Sequence, residues 1–253
     1  MSFLNGPLPI AFAHRGGAYG GLENSMEAFE ASVKHGYRYI ETDVHVTKDG
    51  VVVAMHDGDL RRVSGARASL RGLTWDQLRS FQIGDGGTIA RLDEVLSAWP
   101  QLNLNIDAKS AAVAAPLVEV VRAHDALSRV CLASFSDRRI VYMGRLAGPA
   151  AILSMGPRTI TALRVASMQS SLGRFLPIAG HCAQVPHRVG RFQVVTRRFV
   201  QFAHAIGKQV HVWTIDDPAQ MNELLDLGVD GIMTDKPEVL KAVMTDRGVW
   251  SGA

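Results

Sequence analysis

Residues 40–57, IETDVHVTKDGVVVAMHD, place Glu41 and Asp43 two apart, with His45 and His56 flanking a T-K-D-G turn, all inside runs of Val and Ile. Alternate residues of a strand share a face, so the two carboxylates project together. Two other runs end in the same way. IAFAH is followed by Arg15, so His14 and Arg15 stand at a strand end, and LNLNIDAK closes on Asp107 and Lys109, again two apart. Three carboxylates with no cysteine beside them suit a hard divalent cation, Mg²⁺ or Ca²⁺, better than zinc. Such an ion bridges to phosphate oxygens and polarises a neighbouring hydroxyl. Arg15 and Lys109 add positive charge for the remaining phosphate oxygens. Histidine is the side chain suited to proton transfer near neutrality, so His14 and His56 are candidates for a base and an acid on opposite sides of a phosphorus centre. The chemistry this set describes is phosphodiester cleavage.

These residues need elements that bring them to one rim. Eight strand signals recur along the chain: IAFAH, YIETDVHV, LNLNIDA, RVCLASF, AAILSM, HCAQVP, VHVWTI and GIMTD. The second continues through Asp49-Gly50 into a return strand, VVVAMH. Helical patterns alternate with them. Asn24, with Glu27 three residues on, has the spacing of a capping box ahead of MEAFEASVK. Ser136 is a candidate cap for DRRIVYMGRLAG, and MNELLDL stops at Gly228. Strand and helix alternating over about 250 residues is the rhythm of a (β/α)₈ TIM barrel, an α/β fold whose active sites gather at the C-terminal strand ends. An open doubly wound sheet is the alternative. It is disfavoured because Gly16-Gly17 and Gly20-Gly21 do not form a G-x-G-x-x-G. One stretch breaks the rhythm: 58–91, a short inserted segment after the second strand region, with six glycines and a single helical pattern, TWDQLRSF. A long excursion from a strand end is expected to be a functional loop or lid.

Composition sets the outer limits. The chain has 253 residues, 47% hydrophobic and 20% charged, with a formal charge of +3. That reads as one globular domain over 1–253, with no inter-domain linker. The basic residues form no stripe with the aromatic interleaving of a nucleic-acid surface, so no nucleic-acid partner is expected. No apolar run approaches the ~18 residues of a membrane span, and no signal-peptide pattern opens the chain. The expectation is a cytoplasmic protein without stable membrane anchoring. Cys131 and Cys182 fall in apolar strands and are expected to be buried, reduced thiols.

The order and spacing of these motifs resemble the glycerophosphodiester phosphodiesterase family, whose pattern is H-R-G, P-E-N-T, E-x-D and H-D. Here they read His14-Arg15-Gly16, Glu23-Asn24-Ser25, Glu41-Thr42-Asp43 and His56-Asp57. The tail VHVWTIDDPAQMNELLDLGVDGIMTDKPEVL is similar to the family as well. The resemblance implies a barrel that hydrolyses glycerophosphodiesters to an alcohol and glycerol 3-phosphate. It implies Glu41, Asp43 and Asp107 as ligands of one divalent cation, His14 and His56 as the catalytic pair, and Arg15, Lys109, Trp213 and Glu23 as substrate contacts. It further implies attack by the substrate's own glycerol hydroxyl, giving a cyclic phosphate that water opens.

Three departures stand out. Asp107 occupies a position where Glu is commoner, Asp216 one where Asn is commoner, and 58–91 is short for the family's inserted segment. Asp216 is expected to add negative charge at the site mouth. An apolar groove beside the cation would instead indicate a lysophospholipase D or a cyclising phosphodiesterase, and 58–91 is too polar to supply one. A non-catalytic binding barrel is disfavoured because both histidines and all three carboxylates are present. His45 has no role in the pattern, and a supporting position is expected for it.

Overall fold

The computed structural model describes residues 3–17, 21–168 and 178–252, so Gly20 of the second glycine pair lies outside it. Eight parallel strands form the frame: β1 (Ile10–His14), β2 (Tyr39–Val46), β3 (Asn103–Ala108), β4 (Val130–Ala133), β5 (Ile152–Leu153), β6 (Cys182–Pro186), β7 (Gln209–Trp213) and β8 (Gly231–Thr234). Their order is β5-β4-β3-β2-β1-β8-β7-β6. The two ends meet at a parallel bridge between Ser154 and Cys182, where the Met155 amide donates to the Cys182 carbonyl over 2.9 Å. The ring is thereby closed as a (β/α)₈ barrel. All eight strand signals fall on its staves, while the return strand, Val52–Ala54, pairs antiparallel with β2 outside the ring.

A helix lies ahead of or after each barrel strand: α1 (Met26–Lys34), α2 (Leu92–Ala98), α3 (Ala114–Ala123), α4 (Asp137–Ala147), α5 (Pro157–Ala166), α6 (Arg197–Ala205), α7 (Pro218–Leu227) and α8 (Pro237–Asp246). Local chemistry explains their ends. Ser136 caps α4 as its position suggested, and α7 starts on an Asp217 cap with Pro218 and stops at Gly228, whose φ is 85°. The cap of α1 is Ser25, not Asn24: its side chain accepts the Ala28 amide at 3.0 Å. Asn24 has a φ of 57° and turns its side chain into the barrel, for a reason given below.

Strand parity divides the interior. Ile40, Val44, Leu104 and Ile106 are fully buried between strands and helices, and Phe199 of α6 does the same on the other side of the ring. Each such side chain contributes about 1.5–3 kcal/mol of burial. Inside the ring the lower layer is an apolar plug, Phe3, Ile10, Phe12, Tyr39, Cys131, Cys182 and Met233. Both cysteines are free and buried, as expected. The plug leaves the upper layer as the place where polar inward-facing residues meet.

Candidate active site

The C-terminal mouth of the barrel holds a cavity of about 680 Å³. His14 and Arg15 reach it from the end of β1, Glu41 and Asp43 from β2, His56 from just beyond the return strand, and Asp107 and Lys109 from the end of β3. Trp213, the last residue of β7, lines it as well. The eight residues thus come from distant parts of the chain to one rim. Glu23, the ninth sequence candidate, does not line the cavity but stands behind Arg15, whose Nη1 donates to it over 3.0 Å.

The register dictates who faces whom. His14 pairs with Glu41 across β1 and β2, and Asp43 pairs with Asp107 across β2 and β3. Lys109 Nζ lies 2.6 Å from Asp43 Oδ1 and 2.9 Å from Asp107 Oδ2, and Arg15 Nε lies 3.0 Å from Asp43 Oδ2. Burial opposes ionisation of Asp43, but Lys109 and then Arg15 outweigh it and hold the carboxyl below its usual range. Glu41 lacks such a partner, so burial and the neighbouring Asp43 push it up to about 7. Burial likewise raises Asp107, whose Oδ1 is buried without a donor. The cluster therefore carries more negative charge than its two cations satisfy.

Each histidine is tied by a carboxylate at Nδ1. His14 Nδ1 is 2.6 Å from Asp235 Oδ1, and His56 Nδ1 is 2.7 Å from Asp57 Oδ1. An ionised carboxylate only accepts, so Nδ1 carries the proton and Nε2 is the nitrogen left for chemistry. His14 Nε2 lies 3.7 Å from Glu41 Oε2. Burial alone would depress its pKa; Glu41 and Asp235 reverse this and raise it above the usual value.

A set of supporting residues fixes these groups. Asn24 Nδ2 donates to Asp43 Oδ2 over 3.1 Å, while its Oδ1 accepts from Thr42 Oγ1 at 2.7 Å. This fully engaged side chain is the reason Asn24 takes a left-handed backbone and leaves the cap to Ser25. Gly16 has a φ of 79°, and a Cβ there would stand 2.6 Å from Phe29, which accounts for the third letter of H-R-G. Arg62 grips Glu23 through both terminal nitrogens, at 2.7 and 2.8 Å, and Asp57 through Nε at 2.6 Å. Arg15 and His56 are thereby joined through one network.

His45, left without a role by its sequence, donates Nε2–H to the His56 carbonyl at 3.2 Å. Burial lowers its pKa, so it braces His56 as a neutral ring. Asp216 is not turned to the mouth as its position suggested. Its Oδ1 accepts from Thr234 Oγ1 and from the Asp235 amide, both at 2.8 Å, and so it orients the residue that orients His14.

The sequence reading missed two features. Asp235, the last letter of the strand signal GIMTD, follows β8 directly, and the ring closure sets β8 beside β1. The other is the opposite wall of the cavity, which is apolar: Phe135, Met155, Ile160, Val185, Val189 and Trp213. Phe135 and Trp213 meet edge to face at 5.6 Å. No residue of 58–91 lines the cavity, contrary to its expected role as a lid. That segment folds over its own apolar cluster of Leu60, Leu70, Leu78 and Ile83 and contributes Arg62 from behind. A groove was not expected from it, and the apolar wall comes instead from the other side of the barrel.

A closed (β/α)₈ barrel with two carboxylate-tied histidines and a cluster of carboxylates and cations in its C-terminal mouth defines the class, a TIM-barrel hydrolase. Residues 14–239 match the model of the glycerophosphoryl diester phosphodiesterase family. The chain is 40% identical to a Mycobacterium tuberculosis protein named "Probable glycerophosphodiester phosphodiesterase 2", over 100% of this chain and 97% of that one. It is 28% identical to a lysophospholipase D of Homo sapiens, over 90% of this chain and 84% of the relative. Its fold is similar to that of an Oleispira antarctica phosphodiesterase solved with the product sn-glycerol-3-phosphate, with a TM-score of 0.76 at 20% identity, covering 94% and 97% of the two chains. The chain belongs to the glycerophosphoryl diester phosphodiesterase family.

Proposed function

We propose that the chain hydrolyses glycerophosphodiesters to an alcohol and sn-glycerol 3-phosphate, using His14 and His56 as its proton-transfer pair. The observation that carries this reading is the pair of Nδ1-anchored histidines on one cavity with a carboxylate–cation cluster. His14 Nε2 takes the proton of the glycerol hydroxyl as that oxygen attacks phosphorus. The bond from phosphorus to the alcohol oxygen breaks, and His56 Nε2 delivers a proton to the departing alkoxide. Water then opens the cyclic phosphate with the two roles reversed. Arg15 and Lys109 stabilise the charge that builds on the phosphoryl oxygens.

A divalent cation, Mg²⁺ or Ca²⁺, fits the donor set of Glu41, Asp43 and Asp107. The orphaned Asp107 Oδ1 and the raised Glu41 both mark a site short of positive charge. Among the described residues no three His, Cys, Asp or Glu side chains are already gathered around a point that would hold a metal. Lys109 Nζ bridges Asp43 and Asp107 and competes for the same oxygens. When bound, the cation supplies polarisation of a phosphate oxygen and the attacking hydroxyl.

The test is release of glycerol 3-phosphate from glycerophosphocholine or glycerophosphoglycerol with either metal. A folded protein that turns over neither substrate under both metals contradicts the proposal. The apolar wall supports a second reading, a lysophospholipase D acting at the same phosphate site, which release of choline from lysophosphatidylcholine would test.

A further inference from the structure

From Arg138 to Ile215 the sequence holds ten Arg and one Lys and no Asp or Glu. That stretch carries a formal charge of +11, while the rest of the chain carries −8, so the modest net charge hides a strong segregation. The stretch also builds most of the cavity's apolar wall, from Met155 through Val189. Nine of the ten arginines lie among the described residues, in the part of the barrel from α4 to β7 that also carries this wall.

Charge and apolar surface converge at a two-stranded hairpin after β6, in which Arg188–Val189 pairs with Phe192–Gln193 across Gly190-Arg191. Val189 is 62% exposed and Phe192 is 53% exposed. Arg188 and Arg191 are also exposed, and neither makes an ion pair among the described residues. Arg164 of α5 places its guanidinium 5.1 Å from the centre of the Phe192 ring. One turn before it on the same helix, Ile160 lines the cavity. Val189 itself is both a hairpin residue and part of the cavity wall. The apolar surface thus runs unbroken from the phosphate site to a tip of alternating Arg and apolar side chains.

We propose that this hairpin, with the Arg164 face of α5, docks the barrel reversibly on an anionic lipid surface beside the mouth of the cavity. The docking does not depend on the phosphodiester reading of the cavity. A membrane surface fits better than a protein or nucleic-acid partner. Exposed aromatic and aliphatic side chains at a tip enter the acyl boundary, while flanking arginines meet phosphate headgroups. Each basic residue near an anionic leaflet adds to binding, and the carboxylate recorded against this segment, Glu223 of α7, lies 3.7 Å from His187 at the base of the hairpin and not at its tip. No helix among the described residues is long and apolar enough to cross a membrane, so the association is peripheral.

The experiment is sedimentation of the full chain with phosphatidylglycerol–phosphatidylcholine vesicles and with pure phosphatidylcholine vesicles. Wild-type protein should pellet with the anionic vesicles and be released by high salt. The double variant Arg191→Ser/Phe192→Ser should lower the vesicle partition coefficient by about tenfold. It should turn over water-soluble glycerophosphoglycerol at the wild-type rate. Wild-type protein left in the supernatant overturns the docking, as does pelleting that the double variant does not change. Concentration-dependent dimers in ultracentrifugation, abolished by the same variant, would assign the face to a second copy and also overturn it. Failure to hydrolyse glycerophosphoglycerol would sink the catalytic reading and leave the sedimentation result to judge the docking alone.

Discussion

His14 and Asp235 lie 221 residues apart and meet at 2.6 Å. In the proposed mechanism Asp235 holds the imidazole in the tautomer that leaves Nε2 unprotonated. Asp235→Asn should therefore lower kcat by about 10–100-fold with little change in KM, the scale seen when a partner that orients a functional histidine is removed. Steady-state kinetics on glycerophosphocholine checks this, and an unchanged kcat would remove Asp235 from the account. His45 works on the other histidine through a backbone carbonyl, and His45→Ala should lower kcat by roughly tenfold without loss of metal affinity. Titration of metal binding beside the kinetics separates the two effects. Glu41, Asp43, Asp107 and Lys109 were legible in the sequence because parity on a strand is local information. Asp235 was not, since its role depends on β8 closing against β1, and a lone Asp after a strand is equally well read as a cap. Asn24 was misread for a related reason: a capping-box spacing is also local, but a buried carboxylate at Asp43 claims the side chain.

At the scale of elements, α4 and α5 are joined by Asp137. Its carboxylate accepts the Arg158 and Thr159 amides at 3.1 and 3.2 Å, serving the first turn of a helix that has no side-chain cap of its own. Partial burial would raise its pKa, but these backbone bonds prevail and lower it. A carboxyl with a depressed folded pKa stabilises the protein above its unfolded pKa of about 3.9, and that contribution disappears as pH falls through the folded value. Melting temperature should therefore drop more steeply below about pH 4 in the wild type than in Asp137→Asn. Equal slopes would contradict the tether. Phe199→Ala in α6 should cost about 3–5 kcal/mol in denaturant unfolding, because a fully buried ring leaves a cavity between helix and barrel. Barrel strands and helices were readable from alternation and caps. The excursion 58–91 misled because glycine-rich polarity resembles a lid. The apolar residues that form its local core, among them Leu60, Leu70, Leu78 and Ile83, are spaced too irregularly to announce it.

For the molecule as a whole, the barrel interior sets the limits. Gly231 packs where a Cβ would meet Phe12 at 2.8 Å and His211 at 3.0 Å, so Gly231→Ala should destabilise by about 1–3 kcal/mol. Thermal unfolding measures this, and an unchanged midpoint would mean that the plug is looser than described. The plug closes the ring below, the carboxylate–histidine cluster fills it above, and the acid-free stretch from Arg138 to Ile215 gives one side its charge. The barrel was anticipated by the alternation of strands and helices, and the meeting of the carboxylates, cations and histidines at one rim by their places at strand ends. The apolar wall escaped because its residues come from the loops after β4 and β5, from α5, from the ends of β6 and β7 and from a hairpin, with no shared period along the chain. The central claim is that His14 moves the proton in phosphodiester cleavage. Phosphorus NMR of glycerophosphocholine with Mg²⁺ or Ca²⁺ tests it most directly, using wild-type protein beside folded His14→Ala. Glycerol 3-phosphate should accumulate with the wild type and fall by at least about a hundredfold in rate with the variant. Equal rates for the two proteins, or no product from the wild type under either metal, would contradict the account.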